Sequence, residues 1–274
     1  FSTFPTSLQR YVADPFVTLA IAGLIVLGGI GFVVIQDLWR RGTGARRRLL
    51  LHSRVVLATS LTLIVFGLGV YLVLEWNNQL ATLSPGHRFV AALFQSVTTR
   101  TAGFNTIDEA AMRPTSKLFT LVLMFIGGAS GSTAGGIKVT TLAVIVLAAI
   151  RGVGSEGAMT MGNRTIGAST ITRAHTFAAK ALVVLFASVF LLTLAELHGG
   201  RTDISFLEIV FESFSAFGTV GLTLGATSHL SELGKLVIIA TMFAGRVGLI
   251  SFAIPGVRRL SSGITYPQGE VLIG

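Results

Sequence analysis

Cysteine is absent from the 274-residue chain, which excludes disulfide bonds and thiolate metal sites. Charged residues are also scarce, at 12% of the sequence, against about 25% in a typical soluble domain. Hydrophobic residues make up 51% of the chain, and its mean hydropathy is +0.76. The composition therefore predicts an integral membrane protein.

Acidic residues are few, 12 against 21 lysines and arginines, which leaves a formal charge of +9. Arginines concentrate in three loops, at Arg40, Arg41, Arg46, Arg47, Arg48 and Arg54, at Arg151, Arg164 and Arg173, and at Arg258 and Arg259. The alternate loops carry Glu75, Asp108, Glu109, Glu196, Asp203 and Glu232. Arginine-rich loops stay on the cytoplasmic side. The pattern predicts a multi-pass protein of the bacterial inner (plasma) membrane that contacts the lipid bilayer and binds no nucleic acid.

The apolar segments contain no cluster of His, Asp and Glu and no nucleophile beside a base. The five histidines, His52, His87, His175, His198 and His229, lie in loops or at the ends of apolar segments. The sequence therefore predicts that the protein is not an enzyme and holds no tightly bound cofactor.

Long apolar segments are plentiful, and they come in two lengths. Those at 16–37, 55–76, 116–150, 174–197 and 235–256 reach the roughly 20 residues that one membrane crossing needs. Two others, 89–99 and 204–217, are too short to cross. We expect these two to be half-helices that enter the membrane and turn back.

One part of the sequence occurs twice. The segment TAGFN at 101–105 returns 118 positions later as TVGLT at 219–223. The same spacing aligns Lys117 with Lys235, Met124-Phe125 with Met242-Phe243, and Gly127 with Gly245. Each copy places a short hairpin after a half-helix and before a span, so one structural unit is built twice. Phe1-Ser2-Thr3 resembles Phe104-Asn105-Thr106, which predicts that the chain begins just after an earlier hairpin of the same kind.

The repeated hairpins are the candidate filter for a cation. Non-helical backbone at membrane depth is tolerated only where it is buried in protein or lines a watery path, and rings of backbone carbonyls can replace the water around K⁺. Glycine permits the backbone angles involved, and the negative ends of the half-helices favour a cation. The predicted filter residues are Thr101, Ala102, Gly103, Thr219, Val220 and Gly221. An ordinary turn between two apolar helices is the alternative interpretation.

The long segment 116–150 would measure about 50 Å as one helix, which exceeds a bilayer core of about 30 Å. Its middle contains five glycines, Gly127, Gly128, Gly131, Gly135 and Gly136, so we expect the helix to break there and form a gate loop. Close helix packing through small residues is one alternative. A phosphate-binding loop is another, but Ile137 between Gly136 and Lys138 breaks that motif.

Arg246 lies within the last apolar segment. At about 6 Å from a passing ion and an effective dielectric constant of about 20, it would oppose passage by about 3 kcal/mol. We therefore predict a gating arginine, with a purely structural arginine as the alternative. Arg100, Glu212 and Asn105 flank the hairpins and are predicted to brace them, and Lys138 is expected to extend toward the cytoplasm.

Five motifs resemble the Trk/Ktr/HKT superfamily of potassium transporters: TTRTAGFNT ending at Thr106, GGASGSTAGGIK at 127–138, FGTVGLT at 217–223, AGRVGLISF at 244–252 and, for the Ktr branch, the tail 266–274. The resemblance implies a pore-forming subunit with four pore units around a pseudo-fourfold axis. It also implies a homodimer over a cytosolic ring of nucleotide-binding regulatory subunits. K⁺ is the implied transported ion, and Na⁺ is left open.

The predicted fold is an all-α membrane protein of tandem helix–pore loop–helix units. The expected layout is the end of a second unit with a cytoplasmic loop at 1–50, a third unit at 51–151, a cytoplasmic loop at 152–172, a fourth unit at 173–260 and a tail at 261–274. The predicted function is K⁺ uptake through the filter. An alternating-access secondary cation transporter is the rival, although units that share one orientation favour a continuous pore.

Overall fold

The computed structural model describes residues 6–44, 48–154, 157–161, 164–200 and 203–247. Several predicted features lie outside the described residues: Phe1–Thr3, Arg46, Arg47, the fourth unit beyond residue 247 with Arg258 and Arg259, and the tail 261–274.

The described chain is predominantly helical. Its α-helices are α1 (Pro15–Gly29), α2 (Phe32–Gly42), α3 (Leu51–Glu75), α4 (Pro85–Thr98), α5 (Pro114–Phe125), α6 (Val139–Arg151), α7 (Ala168–His198), α8 (Phe206–Gly218) and α9 (Glu232–Val247). Two short strands, β1 (Met159–Met161) and β2 (Arg164–Ile166), pair antiparallel, with Met159 opposite Ile166. This small pair departs from the predicted all-α fold and lies in the predicted loop 152–172.

Two described helices, α3 and α7, are long and apolar enough to cross a membrane, and α1 with α2 could form a third crossing. The apolar segment 16–37 that was predicted to span is bent, because α1 and α2 meet at an angle of 99°. The cause is local: Gly31 adopts φ +80°, and the N–H of Phe32 bonds the carbonyl of Gly131 instead of continuing the first helix.

Both predicted half-helices are present. Helix α4 has 14 residues and begins with Pro85, whose missing N–H is harmless at that position. Helix α8 has 13 residues and begins with a capping box between Ser205 and Glu208. The predicted break in the long segment is also present, because α5 ends at Phe125 and α6 starts at Val139.

The half-helices lie inside the fold and the longer helices surround them. Helix α4 packs against α1 and α3, and α8 packs against α5, α7 and α9. Phe94 on α4 and Phe211 and Phe217 on α8 are almost fully buried. By contrast, α3 and α7 expose large apolar side chains such as Val73 and Phe186, as helices that face lipid do. This arrangement attaches each hairpin to a buried half-helix, and Gly103 and Val220 of the hairpins are themselves buried.

Two buried carboxylates confirm that the units are built alike. Glu75, at the end of α3, accepts hydrogen bonds from the N–H of Arg113 (3.0 Å) and the hydroxyl of Ser116 at the start of α5. Glu196, near the end of α7, accepts from the N–H (3.1 Å) and hydroxyl (2.9 Å) of Ser231 at the start of α9. In both units a carboxylate on the first helix therefore caps the positive end of the second.

Candidate functional site

The two hairpins have the same unusual backbone. Among the described residues only three non-glycine residues have a positive φ, and two of them are Thr101 (69°) and Thr219 (51°). Gly103 (73°) and Gly221 (94°) are also positive, whereas the residues between have negative values. A β-branched residue rarely adopts this conformation, so its occurrence at both repeat positions marks a constrained site.

The hairpin N–H groups point back to the half-helices. In the first hairpin, Ala102 donates to the carbonyl of Thr98 (3.2 Å) and Phe104 donates to its hydroxyl (3.2 Å). In the second, Val220 donates to the carbonyl of Ser215 (2.8 Å) and Gly221 to its hydroxyl (3.0 Å). The hydroxyl groups of Thr98 and Ser215 each accept a hydrogen bond from the residue six positions further along the chain. Sequence reasoning missed both, and their only signal was a hydroxyl at the end of each half-helix.

The hairpin carbonyls remain available. No described residue donates a hydrogen bond to the carbonyl oxygens of residues 101–103 or 219–221. The side chain of Val220 is fully buried and belongs to a hydrophobic cluster with Phe211 and Leu222. A cavity of about 310 Å³ lies beside the second hairpin and is lined by Glu212, Thr219, Gly221 and Thr223, among others.

The glycine-rich break forms a closed loop. Its ends are joined by hydrogen bonds from Gly127 N–H to the Ile137 carbonyl (2.8 Å) and from Val139 N–H to the Gly128 carbonyl (3.0 Å). The loop also contacts the α1–α2 bend, because Ala129 donates to the carbonyl of Gly29 (2.8 Å). The break is therefore an ordered structure that rests on the preceding unit.

The other side of this loop touches the second hairpin. A Cβ on Gly135 would lie 2.5 Å from the hydroxyl oxygen of Thr219 and 2.8 Å from the carbonyl oxygen of Gly218. Only glycine fits at this contact without displacing a neighbour. The structure thus brings two predicted groups of residues, the glycine loop and the start of the second hairpin, into direct contact.

Two cations hold carbonyl groups of the loop. The guanidinium of Arg246 donates from Nη1 to the carbonyl of Thr133. The ammonium of Lys138 donates to the carbonyls of Ala134 (2.5 Å) and Gly135 (3.5 Å). The Lys138 side chain therefore folds back onto the loop, and its expected extension toward the cytoplasm stays a prediction. The charge of Lys138 satisfies carbonyls that the broken helix leaves without partners.

The predicted braces differ in what they contact. Glu212 accepts hydrogen bonds from the hydroxyls of Thr223 and Thr227, the latter at 2.8 Å. Arg100 is 8% exposed and reaches the carbonyl of Ser60 on α3 at 3.4 Å. Among the described residues, the side chain of Asn105 bonds only locally, from Nδ2 to the Ile107 carbonyl (3.0 Å).

Comparisons with known proteins agree with this architecture. The chain matches the TrkH family, described as "Cation transport protein", over residues 1–265. It is 40% identical to the Ktr system potassium uptake protein B of Bacillus subtilis and 37% identical to that of Vibrio alginolyticus, with all of this chain aligned to 60% and 59% of those proteins. It is 34% identical to the potassium/sodium uptake protein NtpJ of Enterococcus hirae, again over the whole chain and 61% of the relative.

A solved structure has the same fold. The potassium transporter TrkH of Vibrio parahaemolyticus superposes with a TM-score of 0.72 at 20% sequence identity, over 93% of this chain and 55% of that one. The chain spans about 60% of the length of the curated relatives it matches. With the family match over most of its length, the chain belongs to the TrkH family of cation transport proteins.

Proposed function

We propose that this chain forms the filter and gate of a potassium uptake protein. The observation that carries the proposal is the set of hairpin carbonyls, at residues 101–103 and 219–221, to which no described residue donates a hydrogen bond. Carbonyl oxygens held at membrane depth are the ligands that replace water around K⁺. The relatives include potassium uptake proteins and one potassium/sodium uptake protein, which supports the same ion class.

In this proposal the hairpins bind the ion through backbone oxygens. Thr101, Ala102 and Gly103 contribute one quarter of the filter, and Thr219, Val220 and Gly221 contribute another. The sign of φ alternates along each hairpin, and N–H groups of both hairpins bond the half-helix that precedes them. The remaining quarters come from two further units, which places the filter on a pseudo-fourfold axis. Glu212 braces the second hairpin through Thr223, and Arg100 anchors the end of α4.

The glycine loop is the proposed gate. Its position against Thr219 supports this role, because movement of the loop would uncover or obstruct the inner end of the second hairpin. Glycine tolerates more backbone conformations than other residues, so a second arrangement of this ordered loop is open to it. Arg246 holds the loop through Thr133 and adds a positive charge that opposes passage of cations.

The proposed assembly is a homodimer of pore subunits in the bacterial inner membrane, over a cytosolic ring of nucleotide-binding regulatory subunits. Arginine-rich loops on the cytoplasmic side would leave the filter open to the outside. Support for a regulatory partner comes from two relatives, whose names describe components of a Ktr system.

Potassium-limited growth tests the function. The full gene product is expressed in cells that lack their own K⁺ uptake, beside an empty vector. We expect growth and K⁺ uptake from the wild type. Gly221→Ser should change the K⁺/Na⁺ ratio, because φ at Gly221 is +94° and a side chain there is strained. The matched control is Gly69→Ser, where a Cβ meets nothing within 4 Å. Wild type that fails to restore uptake, despite normal membrane abundance, would remove the proposal.

A further inference from the structure

A buried side-chain pair lies behind the first hairpin and has no place in the filter or the gate. Gln95, on α4, donates from Nε2 to Oε1 of Glu109 at 2.7 Å. Glu109 lies in the loop that leaves the hairpin and leads to α5, and both side chains are at least 98% buried. The bond therefore ties the segment that leaves the hairpin to the half-helix that precedes it.

The second unit contains a comparable bond between the same two segments, although its half-helix partner, Glu212, lies 117 positions after Gln95 rather than 118. Thr227 lies 118 positions after Glu109, at the equivalent place in the repeat. Its hydroxyl donates to Oε2 of Glu212 on α8 at 2.8 Å. The carboxylate is thus on the half-helix in one unit and on the departing segment in the other. Two different residue pairs make the same connection, which argues that the connection itself is needed.

The surroundings of Glu109 differ from those of a surface carboxylate. Its second oxygen, Oε2, is buried and has no hydrogen-bond partner among the described residues. The groups that act on it are Tyr71 and Glu75 on α3, Asp108 in the same loop, and Lys117 on α5. Burial raises the pKa of Glu109 to about 8, with smaller effects from Asp108 and Glu75. The carboxyl is therefore neutral at pH 7 and loses its proton as the pH rises through about 8.

We propose that Gln95 and Glu109 are positioning residues that hold the outer end of the first hairpin in the geometry that discriminates K⁺ from Na⁺, as Glu212 and Thr227 do at the second. The inference rests on the proposed function, since it concerns the same filter. Neither side chain ligates the ion. Ligand sites held by locked side chains keep their geometry, whereas a loosened segment can contract around a smaller ion.

Competition between the two ions tests the pair. The full gene product is expressed in the uptake-deficient cells, and K⁺ uptake is measured against graded Na⁺. Glu109→Ala and Gln95→Met both remove the bond, and each should lower the K⁺/Na⁺ preference several-fold. Glu109→Gln keeps a hydrogen-bonding partner and should retain the preference at pH 7. Asp108→Asn is the matched control, because it removes a neighbouring exposed charge and keeps the acceptor for Ala110 N–H.

External pH provides a second readout that a purely structural role would not change. Ionisation of Glu109 places a charge in a buried site whose second carboxylate oxygen has no described partner, so the wild-type preference should fall as the external pH rises through about 8. Glu109→Gln should show no such fall, whereas Asp108→Asn should keep the fall and move it to lower pH, because the charge of Asp108 helps to raise the pKa of Glu109.

The outcomes separate the two proposals. A wild type that takes up no K⁺ would defeat the proposed function. If the wild type takes up K⁺ and Glu109→Ala keeps the wild-type preference at normal membrane abundance, the positioning role is overturned. Equal losses of K⁺ and Na⁺ uptake would overturn it too, because they indicate a general folding role. If Glu109→Ala does not reach the membrane, the K⁺/Na⁺ preference of Gln95→Met and the pH profile of Glu109→Gln test the positioning role instead.

Discussion

Replacing Arg246 with alanine tests how the glycine loop controls flux. Arg246 approaches the loop from α9 and donates to the carbonyl of Thr133. The substitution removes both this bond and a positive charge while leaving the loop sequence intact. We expect the rate of K⁺ movement to rise, because a loop that is held less firmly spends more time displaced.

The size of the effect follows from the two contributions. A hydrogen bond to a charged group is worth about 1.5–3 kcal/mol, so its loss shifts the closed-to-open equilibrium by about 10- to 150-fold. If the guanidinium also lies about 6 Å from the ion path, its repulsion of about 3 kcal/mol adds about a hundredfold in ion occupancy. Both changes raise the K⁺ flux. At the upper end of this range, passage through the filter would limit the flux instead of the gate.

The assay is ⁸⁶Rb⁺ or K⁺ flux into proteoliposomes that contain the full gene product. Lys235→Ala is the matched control, because it removes a cation from the same helix at a surface pair with Glu232 that does not touch the loop. Arg246→Gln separates the two contributions: glutamine keeps a donor for Thr133 but carries no charge. Flux in Arg246→Ala that is unchanged or lower, at equal protein density, would refute the gating role.

Three further predictions concern single contacts. Glu196→Ala should lower the free energy of unfolding by about 1–3 kcal/mol, measured by thermal denaturation in detergent, because Ser231 loses its buried acceptor; an unchanged melting temperature would contradict the capping role. Gly135→Ala should displace the loop from Thr219 and raise basal flux several-fold, whereas Gly69→Ala should not. Ser215→Ala should lower the K⁺/Na⁺ preference about 2- to 10-fold through the lost bond to Gly221. Ser213→Ala, at a buried hydroxyl with no described partner, is its control, and equal effects of the two would refute the tie.

The elements that sequence predicts well are those governed by local rules. The half-helices followed from segment length, the break at 126–138 from its glycines, and the second unit from a repeat of fixed spacing. The bend between α1 and α2 was not predicted, because an apolar run shows where a chain is buried and not which way it turns. The bend could have been inferred from the sequence Gly28-Gly29-Ile30-Gly31 and from the polar residues that follow it.

The hydrogen-bond partners at the site could not be predicted. Glu75 and Glu196 play the same role 121 positions apart, so a search at a spacing of 118 does not pair them. Glu109 aligns with Thr227 in the repeat. Because the carboxylate lies on the departing segment in one unit and on the half-helix in the other, the alignment does not reveal that both units make this connection. Lys138 shows the same limit, since its partners are loop carbonyls that only the folded chain brings within reach. Such contacts depend on tertiary packing, which residue type and spacing do not specify.

Direct location of the ion tests the central claim, that backbone oxygens of the two hairpins bind K⁺. The measurement is anomalous scattering from Rb⁺ or Tl⁺ in crystals of the full gene product. We expect an anomalous peak at coordinating distance from carbonyl oxygens of residues 101–103 and 219–221 together. A peak elsewhere, or hairpins whose carbonyls face lipid or lie far apart with no ion between them, would contradict it.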